Sequence, residues 1–194
     1  MLKLIIAGGL TLGLSGAVSA QTWGSPTAPA KPVAAAPAKT TGTTTVKDID
    51  ALQKAVTDAW EKMPLTQRRA IFISRPADVY GDYAERASNV FKPGEKLVAY
   101  IEPIGYTWKA NGDVYDFGVS VDFVVKSPEG KILAGQEGFG KFFKTSHAKL
   151  QEFMLTLTLS VDGAPPGKYV LEYKIKDNGS DKSSTVALPF TIAE

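Results

Sequence analysis

The chain contains no cysteine and only one histidine among its 194 residues. The lack of cysteine excludes disulfides, thiol chemistry, thiolate metal sites and a lipid-modified N-terminal cysteine. A single histidine excludes a histidine-rich metal cluster. That residue, His147, lies in the polar segment KTSHAKL without a recognisable nucleophile motif, so we expect a solvated loop residue. The sequence therefore predicts no metal, no cofactor and no catalytic residues.

A strong charge imbalance is also lacking. The 22 basic and 20 acidic residues give a formal net charge of +2, and no cluster of lysine or arginine stands out. Nucleic-acid binding normally requires a concentrated basic surface. We therefore do not expect nucleic acid as a partner, and the composition is typical of one globular domain with extensions.

Apolar residues form a long run only at the start of the chain. A single lysine in MLK precedes LIIAGGLTLGLSGA, and the small residues of VSA follow it. This order of regions predicts a secretory signal peptide over residues 1–20, with Gln21 as the first mature residue. The run is shorter than a bilayer span and is interrupted by glycines, so we expect no transmembrane segment after cleavage. The predicted location is periplasmic or secreted.

Residues 21–45 are rich in proline, alanine and threonine. Such a composition buries too little apolar surface to offset the entropy of ordering the chain, which predicts a disordered linker. The folded domain is then expected over residues 46–194.

A helix is predicted at the start of that domain, over Val46–Met63. Asp48 is a candidate for its N-terminal cap, and Pro64 follows its end. Its apolar side chains recur every three or four residues: Ile49, Leu52, Val56, Trp60 and Met63. The stripe is too short for a coiled coil, so we expect the helix to pack on its own domain.

The rest of the chain alternates in periods of two, which is typical of half-buried strands. In VYDFGVSVDFVVK, for example, aromatic and valine side chains alternate with Asp116, Ser120 and Asp122. About eight strands are predicted, near residues 70–75, 79–87, 96–106, 114–126, 131–138, 152–161, 168–177 and 184–193. Glycine-containing turns join them, and no helix is available for parallel crossovers. The predicted fold is mainly β, an antiparallel sandwich preceded by one amphipathic helix.

The closing stretch PPGKYVLEYKIKDNGSDKSSTVALPFTI resembles the last strand pair of immunoglobulin-like or fibronectin-like domains of bacterial envelope proteins. The resemblance covers about thirty residues and consists of a Pro-Gly turn, a tyrosine-containing strand, an Asp-rich hairpin and a final PFTI. It implies an immunoglobulin-like β-sandwich that presents loops or a sheet face, and it implies no particular activity.

The strand LVAYIEPI, near residues 96–106, is apolar on both faces, which is typical of a central strand covered on one side by the other sheet. The helix is a candidate cover for its second side. Glu102 falls in this apolar strand and needs a partner if it is buried. Arg86 is the expected partner in a structural ion pair. The alternative is that Glu102 is an acid facing a ligand.

Three aromatic residues, Tyr106, Trp108 and Tyr115, flank the predicted turn at Asn111-Gly112. Aromatic side chains near a turn either fold back into the core or form a contact patch. Both interpretations stay open at this point, and the three residues are candidate binding residues.

Together these features favour a non-enzymatic binding or adaptor protein that contacts an envelope protein or a cell-wall glycan. The alternative is a secreted, glycan-active hydrolase with an unrecognised carboxylate pair. The spacing of Asp116 and Asp122 on one strand, about 20 Å, is too long for such a pair.

Overall fold

The computed structural model describes residues 42–194, and within that range the chain forms one helix and nine strands. The predicted signal peptide and almost all of the predicted linker lie outside the described residues. In chain order the elements are α1 (Val46–Lys62), β1 (Thr66–Phe72), β2 (Val90–Phe91), β3 (Leu97–Ile104), β4 (Lys109–Asn111), β5 (Val114–Lys126), β6 (Ile132–Ser146), β7 (Leu155–Leu159), β8 (Gly167–Asp177) and β9 (Ser183–Ile192). Among residues 42–194, no helix has the length and apolar character needed to cross a membrane.

The strands form two sheets. The first has the order β1-β3-β7, and the second has the order β2-β9-β8-β5. In the second sheet β8 and the short β4 pair with one side of β5, whereas β6 pairs with its other side. All strand pairs are antiparallel except β2 with β9. Side chains from both sheets contribute to one hydrophobic core. For residues 42–194, the prediction of a mainly β fold with a single helix is confirmed.

Strand β5 shows how the alternating sequence produces this core. Its side chains alternate between the core and the outer face of the sheet, as predicted. The core-facing set is buried: Phe117, Val119, Val121, Phe123 and Val125. The outer set is polar or less buried, which lets one strand support the core and keep a solvated side.

Helix α1 begins with a capping box centred on Thr45. The Thr45 hydroxyl accepts a hydrogen bond from the backbone N–H of Asp48, and the Asp48 carboxylate accepts one from the backbone N–H of Thr45 at 2.8 Å. Asp48 was predicted as the cap, but it occupies the third helical position. Thr45 is the cap because its hydroxyl can reach the free N–H groups of the first turn.

The packing of α1 corrects a second prediction. Trp60 is the only buried residue of this helix, whereas Ile49, Leu52 and Val56 are 45%, 62% and 48% exposed. The helix contacts the sheets through its last turn, where the Trp60 indole N–H donates to the Tyr106 carbonyl at 2.9 Å. Most of the apolar stripe therefore does not pack on the domain.

The predicted strand at residues 79–87 is also wrong. This segment belongs to a loop that makes one isolated bridge, between Ile73 and Glu85. Gly81 has a φ of 78°, a left-handed conformation that interrupts extended backbone. Tyr83 of the loop packs on Tyr100 of β3 with ring centroids 4.6 Å apart. The loop, rather than the helix, therefore covers the outer face of β3.

Candidate functional site

The two sheets leave one side of the core open between β6 and β7. Strand β6 is the last strand of its sheet, and β7 is the last strand of the other. Within residues 42–194 no further strand pairs with the free edge of either. This open side is where a ligand or partner could approach the inner faces of both sheets.

An apolar cleft of about 510 Å³ lies at this open side. Its lining comes from the end of β5, the start of β6, the end of β7 with its following loop, and β8: Phe123, Val125, Leu133, Ala134, Leu159, Ser160, Val161, Asp162, Gly163, Ala164, Pro165 and Tyr169. Leu133 is 49% exposed, so the cleft has an apolar rim as well as an apolar floor. A concave apolar surface with few polar groups is typical of a binding site.

The polar groups of the cleft are already engaged with each other. The Ser160 hydroxyl donates to the Asp162 carboxylate at 2.7 Å, and the Tyr169 hydroxyl donates to the Pro165 carbonyl at 2.7 Å. Asp162 and Tyr169 are the titratable residues of the lining, and both take part in these hydrogen bonds. The cleft therefore offers a largely apolar surface on which a ligand or partner can pack.

The middle of β6 contains a bulge that shapes the rim of this open side. Val121 of β5 lies opposite Gly140, whereas Phe123, two residues later, lies opposite Gln136, four residues earlier in β6. Strand β6 therefore has two extra residues in this stretch. Gly138 has a φ of 62° and donates its backbone N–H to the Asp122 carboxylate at 2.8 Å. The segment GQEGFGKFF therefore forms a bulged edge strand.

A second groove, of about 320 Å³, lies on the outer face of the same sheet and is lined by three acids, Asp122, Glu137 and Glu172. Lys176 and the Gly138 N–H hold the pKa of Asp122 below its usual value because both stabilise its charged form. Glu172 is paired with Lys126 at 2.8 Å. A glycosidase needs one carboxyl group with a raised pKa as its proton donor. The low pKa of Asp122 makes it unsuitable for that role.

The candidate binding residues Tyr106 and Trp108 lie in the core, where they are 1% and 8% exposed. Trp108 stacks on Trp60 with ring centroids 5.2 Å apart, and Tyr106 meets Trp60 edge-on at 5.0 Å. Both residues donate hydrogen bonds to the Leu150 carbonyl, at 2.9 Å from Tyr106 and 2.8 Å from Trp108. These two rings therefore anchor the helix and are not available as an exposed patch.

Tyr115, the third candidate, is partly buried and packs against the same core. The Lys149 ammonium lies 5.5 Å from its ring centroid. Tyr115 thus lies at the margin of the aromatic cluster. A groove of about 440 Å³ lies beside this cluster, between helix α1 and residues 148–152, and its lining includes Lys149 and Leu150 but none of the three aromatic candidates.

The predicted ion pair between Arg86 and Glu102 does not form. Arg86 instead contacts Glu95 at 2.6 Å, and its guanidinium lies 4.1 Å from the centroid of the Phe91 ring. Arg86 lies in a loop where a strand beside β3 was expected. The Arg86 side chain therefore points to the turn before β3. Glu102 therefore has other partners.

Glu102 is 6% exposed and accepts hydrogen bonds from two tyrosine hydroxyls. Tyr100 donates at 3.0 Å and Tyr80 at 3.2 Å. Burial raises the pKa of Tyr100 to about 12, and the hydrogen bond to Glu102 and the Glu102 charge raise it in the same direction, so the Tyr100 hydroxyl remains a donor. Tyr100 lies two residues before Glu102 on the same face, a spacing that could have identified it from sequence. The group fastens the covering loop to β3.

His147 is exposed, with 78% of its side chain accessible. Its Nδ1 lies 3.5 Å from the Asp113 carboxylate and 3.1 Å from the Asp113 carbonyl oxygen. Among residues 42–194, no group of three or more histidine, aspartate or glutamate side chains is arranged to hold a metal ion. The structure places His147 in the solvated position that the sequence predicted.

Comparison with known proteins identifies no family for this chain. No family model matches it. No curated protein matches it either. One of the solved structures with some similarity is the alkylpurine DNA glycosylase AlkC of Pseudomonas fluorescens, bound to DNA containing an abasic site analog. The match has 12% identity and a TM-score of 0.34, and it covers 76% of this chain and 37% of that one. A TM-score of that size supports no conclusion about fold or function.

Proposed function

We propose that this protein is a periplasmic or secreted binding or adaptor protein without enzymatic activity, and that it contacts an envelope protein through the apolar cleft. The observation that carries this proposal is the cleft itself. It is open to solvent and largely apolar, and its one carboxylate, Asp162, already accepts a hydrogen bond from Ser160. The location rests on the signal-like residues 1–20.

The finer fold assignment is part of the same proposal. We propose an immunoglobulin-like sandwich, because two sheets share one core and nearly all strand pairs are antiparallel. The stretch with the envelope-domain resemblance forms the β8–β9 hairpin, whose ten paired positions run from Gly167 opposite Ile192 to Lys176 opposite Ser183.

A protein partner is favoured over a glycan by the chemistry of the cleft. A glycan presents mainly hydroxyl groups, and each one that is buried without a hydrogen bond carries a free-energy cost. The lining offers mainly aliphatic and aromatic side chains, and its Ser160 and Tyr169 hydroxyls already donate to groups within the domain. Apolar side chains of a protein match this surface better.

The test places a long side chain in the cleft, and circular dichroism of each variant checks that the fold is kept. Ala164 lies in the loop that lines the cleft and is only partly buried, so Ala164→Arg places a long charged side chain in it. Ala110→Arg, on the exposed β4, is the matched control. Each purified protein is immobilised and incubated with an extract of the native envelope, and retained proteins are identified by mass spectrometry.

We expect the wild type and Ala110→Arg to retain the same partner with its mass unchanged, and Ala164→Arg to lose it. Retention by Ala164→Arg would remove the cleft from the proposal. Conversion of the partner or of a cell-wall glycan by the wild type would support the hydrolase alternative instead.

A further inference from the structure

Strand β7 is the end strand of its sheet, and it lacks the features that protect the other long edge strands. Strand β1, at the opposite end of the same sheet, carries the exposed Arg68 and Arg69. Strand β6 carries Lys141 and Lys144, and a bulge interrupts its pairing. Charges and bulges normally prevent another chain from pairing at a sheet edge. Strand β7 has the sequence LTLTL, without charge or proline, and pairs with β3 in a regular register.

The hydrogen bonds of β3 show which backbone groups of β7 are free. The Ile73 N–H, just after β1, donates to the Val98 carbonyl at 2.9 Å, so the backbone polar groups of Val98 point to the β1 side. Backbone polar groups of an antiparallel strand alternate between its two sides, so those of Ala99 point to β7. Ala99 lies opposite Leu157 in the register. The backbone of Leu157 is therefore hydrogen-bonded to β3.

The two neighbours of Leu157 consequently present their backbone to the free edge. These residues are Thr156 and Thr158, and by the same alternation their N–H and C=O groups point away from β3. Within residues 42–194, no strand pairs with them on that side and no loop backbone hydrogen-bonds to them. An extended peptide satisfies such a row of N–H and C=O groups.

The free edge of β7 leads directly into the apolar cleft. Leu159, the last residue of β7, lines the cleft together with the loop that follows it. A strand that pairs with β7 carries every second side chain on the inner face of the sheet, beside Leu157 and Leu159. Such a strand places apolar side chains against the cleft while its backbone binds the edge.

A second copy of β7 does not fit both the edge and the cleft. In an antiparallel pair of two β7 strands centred on Leu157, the chain that reaches the cleft is the segment just before β7 of the other copy. That segment contains Phe153, which is 2% exposed. Its ring packs on Tyr106 and Phe117, with centroids 5.5 and 5.8 Å apart. Phe153 would have to leave its own core, so a segment of a different protein matches the site better.

We propose that the free edge of β7 binds an extended segment of the partner protein, which adds to the sheet as an antiparallel fourth strand. The segment is uncharged over this length and carries apolar side chains at alternate positions, directed towards the cleft. Antiparallel pairing is expected because it is the more stable arrangement per residue. The inference rests on the proposed function, since it states how the partner at the cleft is held.

A synthetic peptide tests the edge without knowledge of the partner. It alternates valine and threonine and has a lysine at each end for solubility. When its valines face the cleft, its threonines lie opposite Thr156 and Thr158, and antiparallel pairing then uses the N–H groups of the peptide threonines. N-methylation of the threonines should therefore abolish binding, whereas N-methylation of the valines, whose N–H groups point away from β7, should leave binding nearly unchanged.

Amide hydrogen exchange of the whole protein, labelled with ¹⁵N, reports pairing at single residues. We expect a saturating amount of the unmethylated peptide to slow exchange at Thr156 and Thr158 at least about tenfold, because both amides enter new hydrogen bonds. Exchange at the exposed Glu129, in the turn between β5 and β6, should stay constant. Unchanged exchange at both threonines would overturn the proposal. Slowing by the threonine-methylated peptide alone would overturn the antiparallel direction.

A proline at the edge tests the same contact from the side of the protein. Thr158→Pro removes an N–H that makes no bond to β3, and proline is tolerated at such positions of edge strands. Thr158→Val keeps the N–H and is the matched control. We expect Thr158→Pro to weaken peptide binding at least about fivefold through the lost hydrogen bond, and Thr158→Val to change it little. Equal binding by the two variants would overturn the proposal. If Thr158→Pro does not fold, the methylated peptides decide.

The outcomes separate this inference from the proposed function. Loss of the envelope partner by Ala164→Arg, with full retention by a folded Thr158→Pro, would keep the cleft and overturn the added strand. Peptide pairing at Thr156 and Thr158, while Ala164→Arg still retains the partner, would uphold the edge and overturn only the proposed function. A dimer by sedimentation velocity that protects the same two amides without peptide would overturn the partner segment in favour of a second copy.

Discussion

Strands β3 and β6 are both rich in apolar residues, but they lie in opposite surroundings. Every residue of β3 from Leu97 to Pro103 is buried, whereas no residue of β6 is fully buried. Strand β3 is central in its sheet, and the loop of residues 74–88 covers its outer face. Strand β6 ends its sheet, and within residues 42–194 no strand pairs with its free edge. Position in the sheet, and not apolar content alone, therefore decides which strand supports the core and which one remains available for contacts.

The largest effect is expected just after β3. Trp108→Ala should lower the free energy of unfolding by about 3–5 kcal/mol, because it removes a buried ring that stacks on Trp60. The Leu150 carbonyl also loses one of its two donors. Urea unfolding measures the change. Unaltered stability would mean that the helix end is not anchored by this ring.

A matched pair of isoleucines compares the two strands directly. Ile101 of β3 is fully buried and Ile132 of β6 is 61% exposed. Ile101→Ala should cost about 2–5 kcal/mol, whereas Ile132→Ala should stay within about 0.5 kcal/mol of the wild type. Urea unfolding measures both values. Similar costs at the two positions would contradict the exposure of β6.

The buried acid of β3 should show a smaller effect. Glu102→Ala leaves the hydroxyls of Tyr80 and Tyr100 without their acceptor, which should cost about 1–3 kcal/mol. Glu129→Ala, at an exposed position in the β5–β6 turn, is the control and should have little effect. Thermal unfolding followed by circular dichroism measures both. A Glu102→Ala protein as stable as the control would show that the covering loop does not depend on this carboxylate.

The smallest effect concerns the bulge of β6 and depends on pH. The folded-state pKa of Asp122 is lowered from 3.8, chiefly by its hydrogen bond from Lys176 and then by that from Gly138. The ionised carboxylate therefore stabilises the fold above pH 3.8, and this contribution is lost as the pH falls through the lower folded-state value.

Asp122→Asn should consequently have a lower free energy of unfolding than the wild type at neutral pH. The difference in free energy between the two proteins should become smaller as the pH falls. Urea unfolding at about pH 7 and about pH 2.5 measures this difference at each pH. A gap of equal size at both values would show that the charge of Asp122 does not hold the bulge.

Much of the fold could be predicted from local patterns. The alternation in β5, the helix over Val46–Lys62 and the glycine turns depend on neighbouring residues, and these features form as expected. The strand predicted at residues 79–87 does not form, because Gly81 bends the backbone and Tyr83 packs across β3. That contact joins residues distant in sequence, which periodicity does not report.

The candidate site was less predictable for the same reason. Arg86 and Glu102 were paired because both were expected on adjacent strands, yet the loop carries Arg86 to Glu95. The cleft combines residues of β5, β6, β7 and β8, none of which forms a sequence motif with the others. Leu133 and Ala164 therefore gave no local signal of a shared site.

Local sequence pattern was enough to establish the mainly β class, the single helix and the solvated position of His147, because each depends on the periodicity or polarity of nearby residues. Which apolar residues are covered could be learned only from the tertiary structure. Trp60 and Trp108 enter the core, whereas the stripe of α1 and the edge of β6 stay exposed. Burial depends on which elements meet in space, and that is set by the pairing of strands distant in the chain rather than by the pattern within any one of them.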